Sequence, residues 1–304
     1  MSKVIVTSGS KFLDIDGYAS IIAYTKFLQS KGVDAIAFST APFNASIPKE
    51  LQEEDLSRKF LFSGDEKFII LDISNPNYFE KFVKKENIIE VIDHHFGYED
   101  YWKNKNQINV NIEKIGAVAT LIFEKFIQEN RQNILNTKMC KLLAAAILDN
   151  TLNFQADITT NRDKITFQTL LKLGALPSDF SDKYFLLCQN EVKNNFQDLI
   201  MKDIKEENLS NLPKIIGQII FYDIDELMLN KDKIIKVFSE YDDWFLNILS
   251  FKTNTSILWT TKKQSKIKLE ILFNKKFEGD LLFLDKLILR KEIIKLALEV
   301  NGGK

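Results

Sequence analysis

Histidine and cysteine are both scarce in this chain of 304 residues, with two of each. Cys140 and Cys188 lie in separate apolar stretches of helical pattern, so the sequence contains no disulfide framework and no CxxC metal knuckle. Both thiols are expected to be buried. The formal net charge is −1, which excludes a global basic field for holding nucleic acid or an anionic membrane. Any anion must therefore be held by a local cluster or by metal. No apolar run approaches the length of a membrane span. The opening MSKVIVTSGS runs straight into a strand without the apolar core of a secretory signal, so the expected location is cytoplasmic. There is no internal repeat and no low-complexity segment, and Gly-Gly occurs only at Gly302-Gly303.

What is present is a globular balance, 45% hydrophobic and 27% charged, in a length that suggests two domains. The first half alternates short β-branched runs with helical patterns. Strands are expected at Lys3–Ser8, Val33–Phe38, Phe68–Ile73 and Ile88–Asp93, and helices at Gly17–Lys31, Ala117–Glu129, Lys138–Leu148 and Asp163–Leu173. This alternation predicts an α/β fold with a doubly wound, mainly parallel sheet. After the turn cluster Gly174–Asp179 a helix is expected at Lys183–Lys202. A smaller α/β domain follows, with strands Lys214–Tyr222, Trp244–Lys252, Thr255–Thr261 and Lys266–Leu272 and helices Lys231–Tyr241 and Lys291–Val300. The expected domains are residues 1–185 and 186–304, with the active site in the cleft between them.

The two histidines are adjacent, in Val91-Ile92-Asp93-His94-His95 at the end of an expected strand. Open α/β sheets bind ligands outside the carboxyl ends of their strands. Asp14 and Asp16 follow the first strand through a short loop, Asp72 closes the third, and Asp149 ends an apolar helix. Taken singly, each aspartate reads as an ordinary turn, cap or helix-end residue. An Asp-His-His triplet closing a hydrophobic strand does not. Several carboxylates converging with imidazole cannot all stay ionised and close unless cations neutralise them. Such oxygen-rich sites with some imidazole suit manganese, magnesium, cobalt or zinc.

Together the motifs resemble a known family. Ser8-Gly9-Ser10-Lys11-Phe12-Leu13-Asp14-Ile15-Asp16-Gly17 is similar to its first motif, and Leu71-Asp72-Ile73 to its second. Val91–His95 carries the DHH signature, and Ile147-Leu148-Asp149-Asn150-Thr151 is similar to the fourth motif. Ile115-Gly116-Ala117-Val118-Ala119-Thr120 resembles the small-residue helix start that follows the signature. This is the DHH phosphoesterase superfamily, with spacing nearest to manganese-dependent (family II) inorganic pyrophosphatases and their exopolyphosphatase relatives. The resemblance implies metal ligation by Asp14, Asp16, Asp72, His94 and Asp149, with Asp72 bridging. It implies a substrate or orienting role for His95, with Asp93 supporting the histidines from behind. It also implies hydrolysis of phosphoanhydride bonds in pyrophosphate or short polyphosphate by a water activated between two divalent ions. Manganese is the first choice of ion, with cobalt or magnesium as alternatives. Ser10 stands where the pyrophosphatases carry a histidine ligand, so one ion is expected to be held less tightly.

The resemblance extends to the second domain. Lys205, in Asp203-Ile204-Lys205, and the pair Arg290-Lys291 fall where relatives bind phosphate. His95, Asp93, Lys205 and Arg290 are therefore expected to act in catalysis, and His95, Lys205, Arg290 and Lys291 to bind substrate. By periodicity alone these cations are ordinary surface residues. The glycine-rich, histidine-ending second domain of nucleotide-cleaving relatives is missing, so the expected partner is a small phosphoanhydride, with neither nucleic acid nor membrane. Two other functions stay open: a degenerate member that binds phosphate without turnover, and a phosphodiesterase or phosphate-ester hydrolase. The oligomeric state is open, a homodimer included.

Overall fold

The computed structural model describes residues 2–52, 55–103, 105, 107–221, 227–250 and 253–302. Tyr222, Lys252 and Gly303, at the edges of sequence expectations, lie outside the described residues. The chain divides into two compact units, Met1–Phe185 and Leu186–Lys304.

The first unit is built on five parallel strands, β1 (Val4–Thr7), β2 (Ala35–Ala37), β3 (Lys67–Leu71), β4 (Ile88–Asp93) and β5 (Asn109–Ile112), in the order β2-β1-β3-β4-β5. Its helices are α1 (Ile15–Ser30), α2 (Glu99–Lys103), α3 (Val118–Gln128), α4 (Thr137–Asn150) and α5 (Asn161–Leu173). The central strands β1, β3 and β4 are largely apolar and buried, as strands covered on both sides require, and Ile5, Phe68, Ile70 and Val91 share one core with Phe38 and Trp102. Helix α1 is buried along most of its length, through Ile15, Tyr18, Ile21, Ile22 and Phe27. It begins two residues earlier than the sequence pattern suggests. Asp14 caps it by accepting a hydrogen bond from Gly17 N at 3.0 Å, so Asp16 belongs to the first helical turn and not to a loop. Similarly, α4 runs on to Asn150 and carries Asp149 within it.

Helix α6 (Phe180–Lys202) runs through the division between the units. The second unit has strands β6 (Lys205–Glu206), β7 (Ile215–Phe221), β8 (Trp244–Ser250), β9 (Thr255–Trp259) and β10 (Leu281–Phe283), in the order β10-β9-β8-β7-β6. Only β7 and β8 pair in parallel. Among the described residues its helices include α7 (Lys231–Val237), α8 (Lys263–Phe273) and α9 (Arg290–Gly302). The expected strand Lys266–Leu272 is wrong, because these residues form the body of α8. The alternation of Ile267, Leu269 and Ile271 suggested period two, yet Ile267 and Ile271 are exposed. The buried side is Ser265 and Leu269, continued by the partly buried Leu272 and Phe273, which is helical spacing.

Candidate metal centre

The order 2-1-3-4-5 has its switch point between β1 and β3, where a doubly wound sheet opens a crevice at its carboxyl edge. Asp16 follows β1, Asp72 follows β3 and the Asp93–His95 triplet ends β4, so all lie along that edge.

Asp16 is fully buried, and its carboxylate accepts hydrogen bonds from Val118 N and Ala119 N, each 2.8 Å, at the start of α3. A helix N-terminus stabilises an anion there. Asp72 sits one residue beyond β3 with φ of 60°, in the left-handed region, which Asp tolerates better than most residues. Its amide donates to Ile92 O at 2.9 Å, which ties the turn to β4. Gly17 makes room for it: a Cβ there would lie 3.3 Å from Asp72 Oδ2 and 3.1 Å from Ser8 Oγ.

His94 is buried, with Nδ1 3.1 Å from Ile115 O. A carbonyl can only accept, so Nδ1 carries a proton, which in a neutral imidazole leaves the lone pair on Nε2. That Nε2 is 3.3 Å from Asp72 Oδ1 and 3.8 Å from Asp16 Oδ2. The Nδ1 of His95 is 2.8 Å from Asp93 Oδ1 and 3.8 Å from Asp72 Oδ1. Asp93 Oδ1 also accepts from the amides of His94 (2.7 Å) and His95 (3.2 Å). Burial pushes the Asp93 carboxyl up, but the His95 imidazole and these hydrogen bonds outweigh it and hold the group below the usual carboxylate range.

Among the described residues, Asp72, His94 and His95 form a group whose possible ligand atoms lie within 4.8 Å of one another. Asp16 adjoins it through His94. Asp14 and Asp149 fall outside the group; the first caps α1, and Asp149 Oδ1 accepts from the Tyr184 hydroxyl at 2.9 Å. Ser10 donates its hydroxyl to Tyr78 O at 3.0 Å. The donor set, two buried carboxylates within a few ångströms of an imidazole nitrogen, fits a divalent cation by its chemistry.

Residues 3–147 match the DHH family, N-terminal domain. The first unit carries a DHH-family domain. A curated relative, the manganese-dependent inorganic pyrophosphatase of Methanothrix thermoacetophila, is 25% identical over 311 residues, covering 98% of both chains. Among solved structures, a Methanococcus jannaschii protein proposed to be a family II inorganic pyrophosphatase aligns over 98% of this chain and 100% of its own, with 21% identity and a TM-score of 0.73. An exopolyphosphatase-related protein from Bacteroides fragilis aligns over 99% of this chain and 93% of its own, at 13% identity and a TM-score of 0.53. Both share the fold.

Inside the DHH domain, one segment the sequence marked only as a small-residue helix start connects most of the site. Ile115 O fixes His94, and Val118 N and Ala119 N hold Asp16. Asp163, which sequence reasoning placed only as a helix start, anchors this segment. It is fully buried and accepts from Gly116 N at 3.0 Å and Thr120 Oγ1 at 2.7 Å, while forming a capping box with Thr160. Gly116 has no alternative, since a Cβ would lie 2.7 Å from Asp163 Oδ2 and 2.5 Å from Thr151 Cγ2. The Thr160-x-x-Asp163 spacing was the available signal for the cap. Nothing in it signalled the reach to Gly116. Burial raises the Cys140 thiol to about 11, so at neutral pH it stays protonated.

In the second unit, Lys205 lies on β6 opposite Ile216, and Arg290 and Lys291 open α9. Arg290 is only 7% exposed. Its Nη1 and Nη2 grip the Asp203 carboxylate at 3.2 and 3.1 Å, and Nη1 also donates to Asp203 O at 2.5 Å and Ile216 O at 3.4 Å. The Arg290 amide donates to Gln218 Oε1 at 2.6 Å. The two cationic motifs that the sequence treated as separate are thus one cluster, with Asp203 joining Arg290 to the strand that carries Lys205.

Proposed function

We propose that this protein is a metal-dependent phosphohydrolase that cleaves phosphoanhydride bonds in pyrophosphate or short polyphosphate. One observation carries the reading: His94 Nε2, its tautomer set by Ile115 O, stands 3.3 Å from Asp72 and 3.8 Å from Asp16 at the sheet's switch point. Membership of the DHH family and the pyrophosphatase name of the Methanothrix relative support it. Asp14, Asp16, Asp72, His94 and Asp149 are assigned to hold two divalent ions, manganese first. Such ions acidify water and neutralise charge on phosphoryl oxygens. His95 is assigned to contact substrate, since Asp93 engages its Nδ1 and leaves Nε2 for that purpose. Lys205 and Lys291 are assigned to bind phosphate oxygens as point charges, and Arg290, whose Nη1 and Nη2 already hold Asp203, to fix the strand that carries Lys205 beside them. We place the activity in the cytoplasm, on a small-molecule substrate rather than on nucleic acid. No helix among the described residues is long and apolar enough to cross a membrane.

The test is phosphate release from pyrophosphate, tripolyphosphate and long polyphosphate with manganese, cobalt and magnesium compared. Metal-dependent release from the first two is expected. No release with any ion would favour a phosphate-binding protein without turnover, while release only from phosphate esters or diesters would assign the other hydrolase class.

A further inference from the structure

Tyr184 belongs to no motif and was not marked by the sequence pattern, yet it meets the site from α6. The side chain is 1% exposed, and its hydroxyl lies 2.9 Å from Asp149 Oδ1 and 3.0 Å from Ser46 O. Ser46 in turn is tied to the start of α1. Its Oγ accepts from Ile15 N at 2.8 Å and donates to Asn44 Oδ1 at 2.6 Å, and Asn44 Oδ1 also accepts from Ser46 N at 2.9 Å. A set of close polar contacts therefore runs from the first turn of α1, which bears Asp16, through Ser46 and Tyr184 to Asp149 near the end of α4.

We infer that Tyr184 is a positioning residue for metal binding, holding Asp149 in register with the start of α1. The inference rests on the proposed role of Asp149 as a ligand. A carboxylate near a helix end can turn about its χ2 torsion, and that torsion has a broad, soft profile. Fixing Oδ1 with a phenol that is itself held by burial on α6 fixes where Oδ2 lies. The phenol has one proton and two acceptors, and the anionic carboxylate is the stronger of them. Partners of this kind behind a ligand change metal affinity by about 10–100-fold when removed.

The experiment is calorimetric titration of the metal-free full-length protein with manganese, for wild type, Tyr184→Phe and Asp149→Asn, with the melting temperature of each metal-free sample. Phenylalanine keeps the ring and removes only the hydroxyl. The expected result is loss of an ion in Asp149→Asn and about tenfold weaker manganese binding in Tyr184→Phe. The manganese-induced rise in melting temperature should shrink in the same order. A purely structural tyrosine would lower the metal-free melting temperature and leave the affinity alone. Wild-type affinity in Tyr184→Phe beside impaired Asp149→Asn overturns the inference while leaving the metal site standing. Wild-type affinity in both variants overturns Asp149 as a ligand, and the inference with it.

Discussion

The two units handle charge in opposite ways. In the first, a wholly parallel sheet delivers the ends of β1, β3 and β4 to one edge, so Asp16, Asp72 and His94 meet with carboxylates and an imidazole only a few ångströms apart. That arrangement is electrostatically incomplete, because neighbouring carboxylates favour a cation between them. In the second, the mixed sheet brings β6 beside β7, and Arg290 reaches a carboxylate from its own unit. There the buried cation is already matched by Asp203. An incomplete cluster is the kind that recruits a ligand; a completed one supplies rigid geometry.

The comparison breaks most severely at Asp72. Asp72→Ala, or chelation of divalent ions from the wild type, should reduce phosphate release by several orders of magnitude, since the clamp on the reacting phosphoryl group loses its shared carboxylate. Turnover that persists in chelator would end the metal-centred reading. Next comes the completed pair. Arg290→Ala leaves Asp203 buried without its guanidinium, and such a loss costs about 3–5 kcal/mol; urea unfolding should show it. Unchanged stability would mean that the Asp203–Arg290 contact is dispensable and that Arg290 is held for another reason.

A subtler test addresses the room made for Asp72. Gly17→Ala would gain up to about 1 kcal/mol of helix propensity. The added methyl would press on Leu13, Ser8 and Asp72, with contacts of 3.1, 3.1 and 3.3 Å. Weaker manganese binding at little cost to the metal-free melting temperature is expected, read by calorimetry. Equal affinity would show that the Asp72 carboxylate has slack. The smallest effect should come from Ser10→His. An imidazole in place of a hydroxyl that now donates to Tyr78 O should tighten one ion and shift preference towards pyrophosphate. Identical ion affinity and substrate ratio would mean that another group already fills that role.

Much of the candidate site was legible beforehand because its parts are short motifs at strand ends. The apolar run Ile88–Ile92 predicts a buried strand, and a strand that closes on Asp-His-His places those side chains at a sheet edge whatever the rest of the chain does. Parallel pairing then brings the ends of the other strands alongside. The alternating Ile267, Leu269 and Ile271 misled for the converse reason. Which residues an element buries depends on the surface it meets, and α8 meets its neighbours with a helical stripe. Short strands such as β5 and β10 carried too few residues to show any period.

The amino-acid sequence by itself determined the alternating α/β plan, the strand-end aspartates, the adjacent histidines and the absence of a basic field. These follow from local pattern and composition, which a chain possesses before it folds. Tertiary structure alone decided the pairing of Asp203 with Arg290, the seat of Asp16 on the start of α3, the donation of His94 Nδ1–H to Ile115 O and the reach of Tyr184 to Asp149. Each joins residues separated by between 21 and 103 positions. A hydrogen bond depends on atoms a few ångströms apart, and only the packing of helices on sheets sets which distant atoms come that close.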